Sequence, residues 1–124
     1  MKNTTIKMDT LSIPSTKQFE VEKVIRELLL RKTNVPDIIV CLSASDTIYT
    51  YQSVIDYNKV GQIQIVGSYV NDEIQNAIDK GIIASAITVK SDELGTQALA
   101  TLKEWKDTGT VNEYQTVKCY TVTK

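Results

Sequence analysis

Residues 38–46, with the sequence IIVCLSASD, decide the fold of this chain. The run opens with five apolar residues, mostly β-branched, which is typical of a β-strand covered on both faces. The small polar residues that follow can start a helix, with Ser45 or Asp46 as its N-terminal cap. A buried strand that delivers polar side chains to a helix N-terminus is the usual position of a ligand site in an open α/β sheet. The stretch therefore predicts binding and leaves the ligand unnamed.

The first helix of the chain is predicted before this strand. Apolar residues recur at helical spacing from Val21 to Leu29, and charged residues occupy the intervening positions. Ser15 followed by Gln18 matches a capping box, and Pro36 marks the end of the segment. These signals predict an amphipathic helix.

Three further helices are predicted at about residues 46–60, 71–80 and 91–108. Asn71 and Ser91 are the expected N-terminal caps of the last two, and the three helices are expected to end at Gly61, Gly81 and Gly109. The apolar residues expected to face the core are Ile48, Tyr51, Val54 and Ile55, then Ile74, Ala77 and Ile78, then Leu94, Ala98, Leu102 and Trp105.

Strands alternate with these helices along the whole chain. They are predicted at residues 4–13, 38–42, 63–66, 84–89 and 114–122, the last of them at an edge of the sheet. Alternation of this kind predicts right-handed βαβ units, and so an α/β fold with a mainly parallel sheet and helices on both faces. Residues 1–124 are expected to form a single domain.

Composition narrows the function classes. The chain has 124 residues and a formal net charge of -1, which gives no electrostatic footprint for nucleic acid. Its apolar runs are too short to cross a bilayer, and the sequence as given opens with no export signal. The two cysteines, Cys41 and Cys119, lie far apart in sequence; Cys41 is expected to be buried, and a disulfide between them stays open.

No motif for catalysis is present. The sequence has no histidine, so it lacks both the commonest general base and the commonest metal ligand. Its glycines form neither a dinucleotide-binding fingerprint nor a P-loop. No catalytic residue, metal site or cofactor is therefore predicted, and the chain is not expected to be an enzyme.

Polar residues gather where the predicted strands end, which is the edge that binds ligands in parallel sheets. Part of this enrichment has a purely structural explanation, since Ser, Asp and Asn are favoured as helix caps. For Asp46 the two interpretations are even, whereas Tyr69 has no role as a cap and favours a functional one. The six candidate ligand-binding residues are Ser43, Ser45, Asp46, Ser68, Tyr69 and Lys90.

From residue 36 to residue 102 the sequence resembles the C-terminal lobe of the type I periplasmic binding proteins, a sugar-binding family related to lac-repressor-type effector domains. The resemblance rests on the order and spacing of short segments: DIIVC at 37–41, Ser45-Asp46, IVGSY at 65–69, AIDKGIIAS at 77–85 and DELG at 92–95. It implies a Rossmann-like three-layer sandwich and a non-enzymatic protein that closes on a small polar solute. It also implies a location outside the cytoplasmic membrane and a permease or sensor module as partner.

Two departures from the family accompany this resemblance. Ser45-Asp46 falls where the family often has Asn-Asp touching a sugar, but Tyr69 replaces an aspartate and Val89 stands near a common glutamine. The lobe also normally begins with one further strand and helix, and that strand is central in its sheet. The resemblance therefore implies a partial lobe, a fragment of a two-lobe protein, and we expect it to self-associate.

Two functions of different classes follow. The first is a recognition lobe for a sugar-like or other polar solute, serving transport or sensing. The second is an α/β regulatory or interaction domain without a small-molecule site of its own, which the residues at 69 and 89 favour.

Overall fold

The computed structural model describes residues 5–14 and 16–124 and contains four helices and four strands within them. The helices are α1 (Gln18–Leu29), α2 (Ala44–Asp56), α3 (Asp72–Asp79) and α4 (Ser91–Thr108). The strands are β1 (Ile38–Val40), β2 (Gln64–Ser68), β3 (Ser85–Val89) and β4 (Cys119–Thr123).

The strands form one sheet in the order β1-β2-β3-β4. The first three run parallel, with Val40 beside Val66 and Val66 beside Ser85, and β4 pairs antiparallel with β3. This is the predicted α/β class with a mainly parallel sheet, and the last strand lies at an edge as predicted. The strand predicted at 4–13 is wrong for residues 5–13, which are irregular and almost wholly exposed; Thr4 lies outside the described residues.

One hydrophobic core lies between the sheet and the first three helices. Side chains from α1, α2 and α3 meet the inward-facing residues of β2 and β3, including Ile65 and Ala86, both fully buried. Burial of an isoleucine of this kind stabilises the fold by about 2 kcal/mol. Fully or nearly buried apolar residues are Val21, Ile25, Leu29, Cys41, Val54, Ile63, Ile65, Ile74, Ala77, Ile78, Ile83 and Ala86.

The prediction that the central stretch is covered on both faces is wrong. Ile39 packs against the core, but Ile38 and Val40 on the opposite face are 55% and 60% exposed, and Leu42 beyond the strand is 81% exposed. The apolar run correctly marked a strand, but it carried no information on whether other elements of the chain would cover it.

Helix α2 meets the core with most of the predicted apolar stripe, since Val54 is buried and Ile48 and Tyr51 pack against it, and also with small polar residues that were not predicted. Thr47, Thr50 and Ser53 are buried beside Val54, whereas Ile55 is 44% exposed. A Cβ atom on Gly67 of β2 would lie 2.5 Å from Thr47 Cγ2, so this helix and strand touch at a position where only glycine fits. Small side chains on both elements permit that close approach.

Helix α4 is amphipathic but contributes nothing to the core. None of its residues is buried, and Leu102 and Trp105 are 60% and 57% exposed. The prediction that Leu94, Ala98, Leu102 and Trp105 face the core is therefore wrong. Helical spacing identified the apolar side of this helix, but Leu94, Leu102 and Trp105 on that side remain 45%, 60% and 57% exposed.

Helix ends follow local chemistry, with some corrections. Asn71 caps α3 as predicted and accepts a hydrogen bond from the Ile74 amide at 2.8 Å, and Gly109 ends α4 in the left-handed conformation.

Ser43 caps α2 in place of Ser45 or Asp46. Lys90 takes the N-cap position of α4 without a side-chain bond, so the prediction for Ser91 is wrong. Helix α2 ends at Asp56, before Gly61, and Ser15 lies outside the described residues.

Candidate functional site

The carboxyl ends of the three parallel strands are joined by hydrogen bonds into one edge. The Ser68 hydroxyl at the end of β2 donates to the Cys41 carbonyl, just beyond β1, at 2.7 Å. On the other side of β2, the Tyr69 amide donates to the Ile87 carbonyl of β3 at 2.8 Å, and the Val70 amide donates to Thr88 Oγ1 at 3.1 Å. The segments that follow β1 and β2 are thus fixed next to each other.

Ser43 and Ser68, two of the predicted ligand residues, are occupied in holding this edge together. Ser43 Oγ accepts a hydrogen bond from the Asp46 amide at 3.1 Å, which caps α2. The Thr47 hydroxyl donates to the Ser43 carbonyl at 2.7 Å and accepts from the Ser68 amide at 3.1 Å. The network links helix α2 to both strands, so these serines have a structural role.

Asp46 lies in the first turn of α2, half-buried, at the edge where the strands end. Its carboxylate makes no hydrogen bond or ion pair with residues 5–14 or 16–124, although it lies at the positive end of the helix dipole, which favours a negative charge there. Ser45 beside it is exposed. Cys41 lies beneath this turn; burial raises the pKa of its thiol, and the Asp46 charge adds a smaller increase.

Tyr69 has an uncommon backbone conformation. Its φ angle is 60°, in the left-handed region that non-glycine residues rarely occupy, and its side chain is 55% exposed. Its two flanking peptides are held by the bonds to Ile87 and Thr88, so the conformation is imposed by the sheet. The phenol has no hydrogen-bond partner in the part of the chain that the structure describes. Strained residues of this kind cluster at binding sites.

Lys90 follows β3 at the same edge, but its side chain is directed to α4 and β4. Its ammonium lies 3.8 Å from Glu93 Oε1 and 4.4 Å from the centre of the Tyr120 ring. The Tyr120 hydroxyl donates to both Glu93 oxygens, at 2.6 and 2.7 Å. The hydrogen bond to this carboxylate raises the pKa of Tyr120. These contacts secure the start of α4 and compete with a role in ligand binding.

The edge thus holds Ser43, Asp46, Ser68 and Tyr69 together, with Asp46 and Tyr69 as the two that offer unused groups. Sequence reasoning missed Thr47 and Thr88, whose hydroxyls fix the backbone on either side of Tyr69. A threonine next to a predicted cap and one inside a strand give no pattern in sequence that separates them from ordinary surface threonines.

Two cavities of the described structure lie away from this edge. One of about 90 Å³ lies between α1 and α2, and one of about 340 Å³ lies between α2 and α3, where Tyr51 donates to Glu73 Oε1 at 2.5 Å. Neither is lined by a predicted site residue. The carboxyl ends of the strands form an open surface, and neither of these two cavities extends to it.

Within residues 5–14 and 16–124, no group of three or more acidic, cysteine or histidine side chains is placed to hold a metal ion. None of the helices in that part of the chain is long and apolar enough to cross a membrane.

Comparison with known proteins identifies the fold. The chain is similar to XylFII, which also matches in its complex with LytSN (TM-score 0.72, 23% identity for XylFII alone). It is similar to GanP, a glucose-galactose binding protein from Geobacillus stearothermophilus, with a TM-score of 0.74 and 17% identity. It is also similar to the periplasmic component of an ABC-type sugar transport system from Hahella chejuensis, with a TM-score of 0.76 and 13% identity. These matches cover 86–87% of this chain and 38% of each of the other chains.

The chain therefore has the fold of type I periplasmic sugar-binding proteins, as its sequence resemblance implied, over rather more than a third of their length. No protein-family model and no curated protein matches it. At these identities the likeness establishes the fold alone, and the neighbours are solute-binding proteins.

Proposed function

We propose that this chain is a recognition lobe of a solute-binding protein and contacts a small, sugar-like polar solute at the carboxyl edge of its parallel strands. It performs no reaction on that solute. The lobe is one of two in the intact protein, and the solute lies between them. Asp46 and Tyr69 are the residues that contact it, with Ser45 beside them.

One observation carries this proposal: a carboxylate and a phenol, neither hydrogen-bonded to any of the described residues, lie where parallel strands end in a chain with the fold of sugar-binding proteins. A carboxylate at a helix N-terminus accepts hydrogen bonds from hydroxyl groups, and an exposed ring packs against the apolar face of a sugar. The imposed backbone conformation of Tyr69 fixes the direction in which its side chain leaves the main chain before the solute arrives.

The partners and location of the protein belong to the same proposal. We expect the loaded protein to dock on a membrane permease or a sensor module outside the cytoplasmic membrane. The periplasmic component of a sugar transport system and the complex of XylFII with LytSN support these two possibilities respectively.

Calorimetric titration of the purified chain with glucose, galactose, pentoses and polyols tests the proposal. We expect binding to at least one of them, and Asp46→Asn to weaken it about ten- to a hundredfold, because a hydrogen bond to a charged group contributes about 1.5–3 kcal/mol. Asp37→Asn is the matched control: Asp37 is an exposed aspartate just before β1, at the opposite end of that strand. Equal effects of the two substitutions, or no binding by the native chain across the panel, would contradict the proposal.

The alternative is an interaction domain without a small-molecule site. It is favoured by the structural use of Ser43 and Ser68 and by the position of both cavities away from the strand edge. A chain that binds no solute in the titration, yet is captured by the extracytoplasmic domain of a sensor protein, would favour this second function.

A further inference from the structure

The main chain changes direction at Tyr69, and a threonine hydroxyl holds the new direction. In a regular strand, successive amides point to opposite sides of the strand. Here the Tyr69 amide donates to the Ile87 carbonyl at 2.8 Å, and the next amide, that of Val70, also reaches β3 and donates to Thr88 Oγ1 at 3.1 Å. The left-handed conformation of Tyr69 brings these two amides to the same side. The second of these bonds therefore depends on a side chain of β3 and not on its backbone.

A second threonine, on α2, holds the preceding peptide. The Ser68 amide donates to Thr47 Oγ1 at 3.1 Å, and the Thr47 hydroxyl donates its own proton to the Ser43 carbonyl at 2.7 Å. The Thr88 hydroxyl likewise donates to the carbonyl of the residue that follows it, at 3.2 Å. Because each hydroxyl has given its proton to a carbonyl, it presents a lone pair to the amide. Serine at either position can do the same, whereas valine has a similar shape and no acceptor.

Tyr69 needs this restraint more than other residues with a positive φ. Apart from glycines, the described residues with a positive φ are Asn34, Asn58 and Tyr69. Asparagine enters the left-handed region readily, because its short polar side chain can hydrogen-bond locally, whereas the Cβ atom of a tyrosine is crowded there. Tyr69 also follows directly on β2, so an extended conformation is the one it would adopt without these bonds.

We propose that Thr47 and Thr88 are positioning residues of the solute site: together they hold Tyr69 in the conformation from which its ring reaches the solute. This inference rests on the proposed function, because it takes Tyr69 as a residue that contacts the solute. Thr47 is fully buried, and Thr88 is half-buried on the same face of β3 as the core residue Ala86. Affinity should therefore depend on two hydroxyls that the solute does not touch.

NMR spectroscopy of the ligand-free chain is the first test, and it compares Thr88→Val with Thr88→Ser. The coupling between the amide and α protons of Tyr69, together with its α-carbon shift, reports whether its φ is left-handed. We expect the serine variant to keep the native values and the valine variant to move toward those of extended backbone. Exchange of the Val70 amide with solvent should be at least about fivefold faster in Thr88→Val, the factor that loss of one ordinary hydrogen bond predicts.

Calorimetric titration with the same panel of glucose, galactose, pentoses and polyols is the second test. Thr88→Val and Thr47→Val should each bind about three- to tenfold more weakly than the native chain, and the two serine variants should restore the affinity. Circular dichroism confirms that each variant is folded. If Thr47→Val does not fold, the two variants at position 88 decide the outcome.

Thr50→Val is the matched control for the substitution on α2. Thr50 is also buried and lies on the same helix, but its hydroxyl accepts from the Cys41 thiol at 3.4 Å and not from an amide next to Tyr69. Its replacement by valine should change neither the affinity for the solute nor the NMR signals of Tyr69. An equal loss of affinity in this control would show that any buried change in α2 disturbs the site, and would overturn the role of Thr47.

The outcomes separate this inference from the proposed function. A Thr88→Val chain in which Tyr69 keeps its native coupling overturns the inference, and so does one in which the coupling changes while the affinity does not. Loss of affinity in Asp46→Asn without any loss in Thr88→Val leaves the proposed function in place and removes the positioning role. A native chain that binds no member of the panel contradicts the proposed function itself, and the inference with it.

Discussion

Thr47 of α2 lies directly against Gly67 of β2, so that a methyl group on the glycine would be 2.5 Å from Thr47 Cγ2 and 3.2 Å from Thr47 Oγ1. The same threonine donates to the Ser43 carbonyl and accepts from the Ser68 amide. One side chain thus sets both the distance between helix and sheet and the course of the backbone at the strand edge.

Gly67→Ala should destabilise the protein by about 1–3 kcal/mol, because the new methyl group forces α2 away from the sheet. Gly95→Ala is the matched control. Gly95 lies inside α4 with no atom within 4 Å of a built Cβ, so alanine there should stabilise by about 0.5–1 kcal/mol. Urea unfolding measures both changes. Equally small changes in the free energy of unfolding for both variants would show that α2 moves away from position 67 at little cost.

Asn71→Ala should cost about 1 kcal/mol of stability, since the Ile74 amide loses its cap acceptor. Ser91→Ala should change stability by no more than a few tenths of a kcal/mol, because Ser91 is inside α4 and caps nothing. Thermal unfolding of the two variants beside the native chain makes the comparison. A larger loss for Ser91→Ala would contradict the assigned start of α4.

Tyr69→Asn should be more stable than Tyr69→Ala by about 0.5–1 kcal/mol, because asparagine tolerates the left-handed conformation imposed at this position. Both variants should lose solute binding if the ring makes the contact proposed above. Chemical denaturation and calorimetric titration on the same samples separate the two effects. Binding that survives in the asparagine variant would remove Tyr69 from the site.

The free energy of unfolding should fall as the pH rises above the ordinary pKa of a cysteine thiol, because of Cys41. Burial raises the pKa of this thiol in the folded chain, so the folded state retains its proton where the unfolded state has lost it. The stability that the protonated Cys41 thiol contributes is complete at neutral pH. It is lost as the pH rises from the ordinary thiol pKa of 9.0 toward the raised pKa of the folded chain. Unfolding of the native chain and of Cys41→Ala, measured at increasing pH, should show the steeper decline in the native chain.

The two thiols should also differ in reactivity. Cys41 is buried and Cys119 is exposed, so a thiol reagent should modify Cys119 in the native chain at neutral pH and reach Cys41 only on unfolding. Cys119→Ala provides the control, since it should leave the native protein almost unreactive. Rapid labelling of both sites would indicate that the core around β1 opens readily.

Local chemistry made most of the fold predictable. The cap at Asn71, the left-handed glycine at position 109 and the spacing from Val21 to Leu29 each depend on residues within one helix, and each prediction is confirmed. The α/β class follows from their order along the chain. These features need no knowledge of what lies opposite each element.

The failures share one physical cause. The apolar stripe containing Trp105 and the run beginning at Ile38 both reveal a preference for burial, but burial requires a neighbour, and periodicity does not say whether one exists. At the candidate site, sequence located Asp46 and Tyr69 at the strand ends. It could not show that Ser43 and Ser68 are occupied by hydrogen bonds, since their partners come from other segments.

Val89 and Cys119 are paired neighbours in the sheet, so the chain leaves β3 and re-enters at β4 from nearly the same point. Strands β3 and β4 therefore form an antiparallel pair, and the residues between them, including α4, form its connection. Evolution can lengthen, shorten or exchange such a connection without altering the register of the strands on either side. A change in the length of this connection would therefore leave the pairing of β3 with β4 in place.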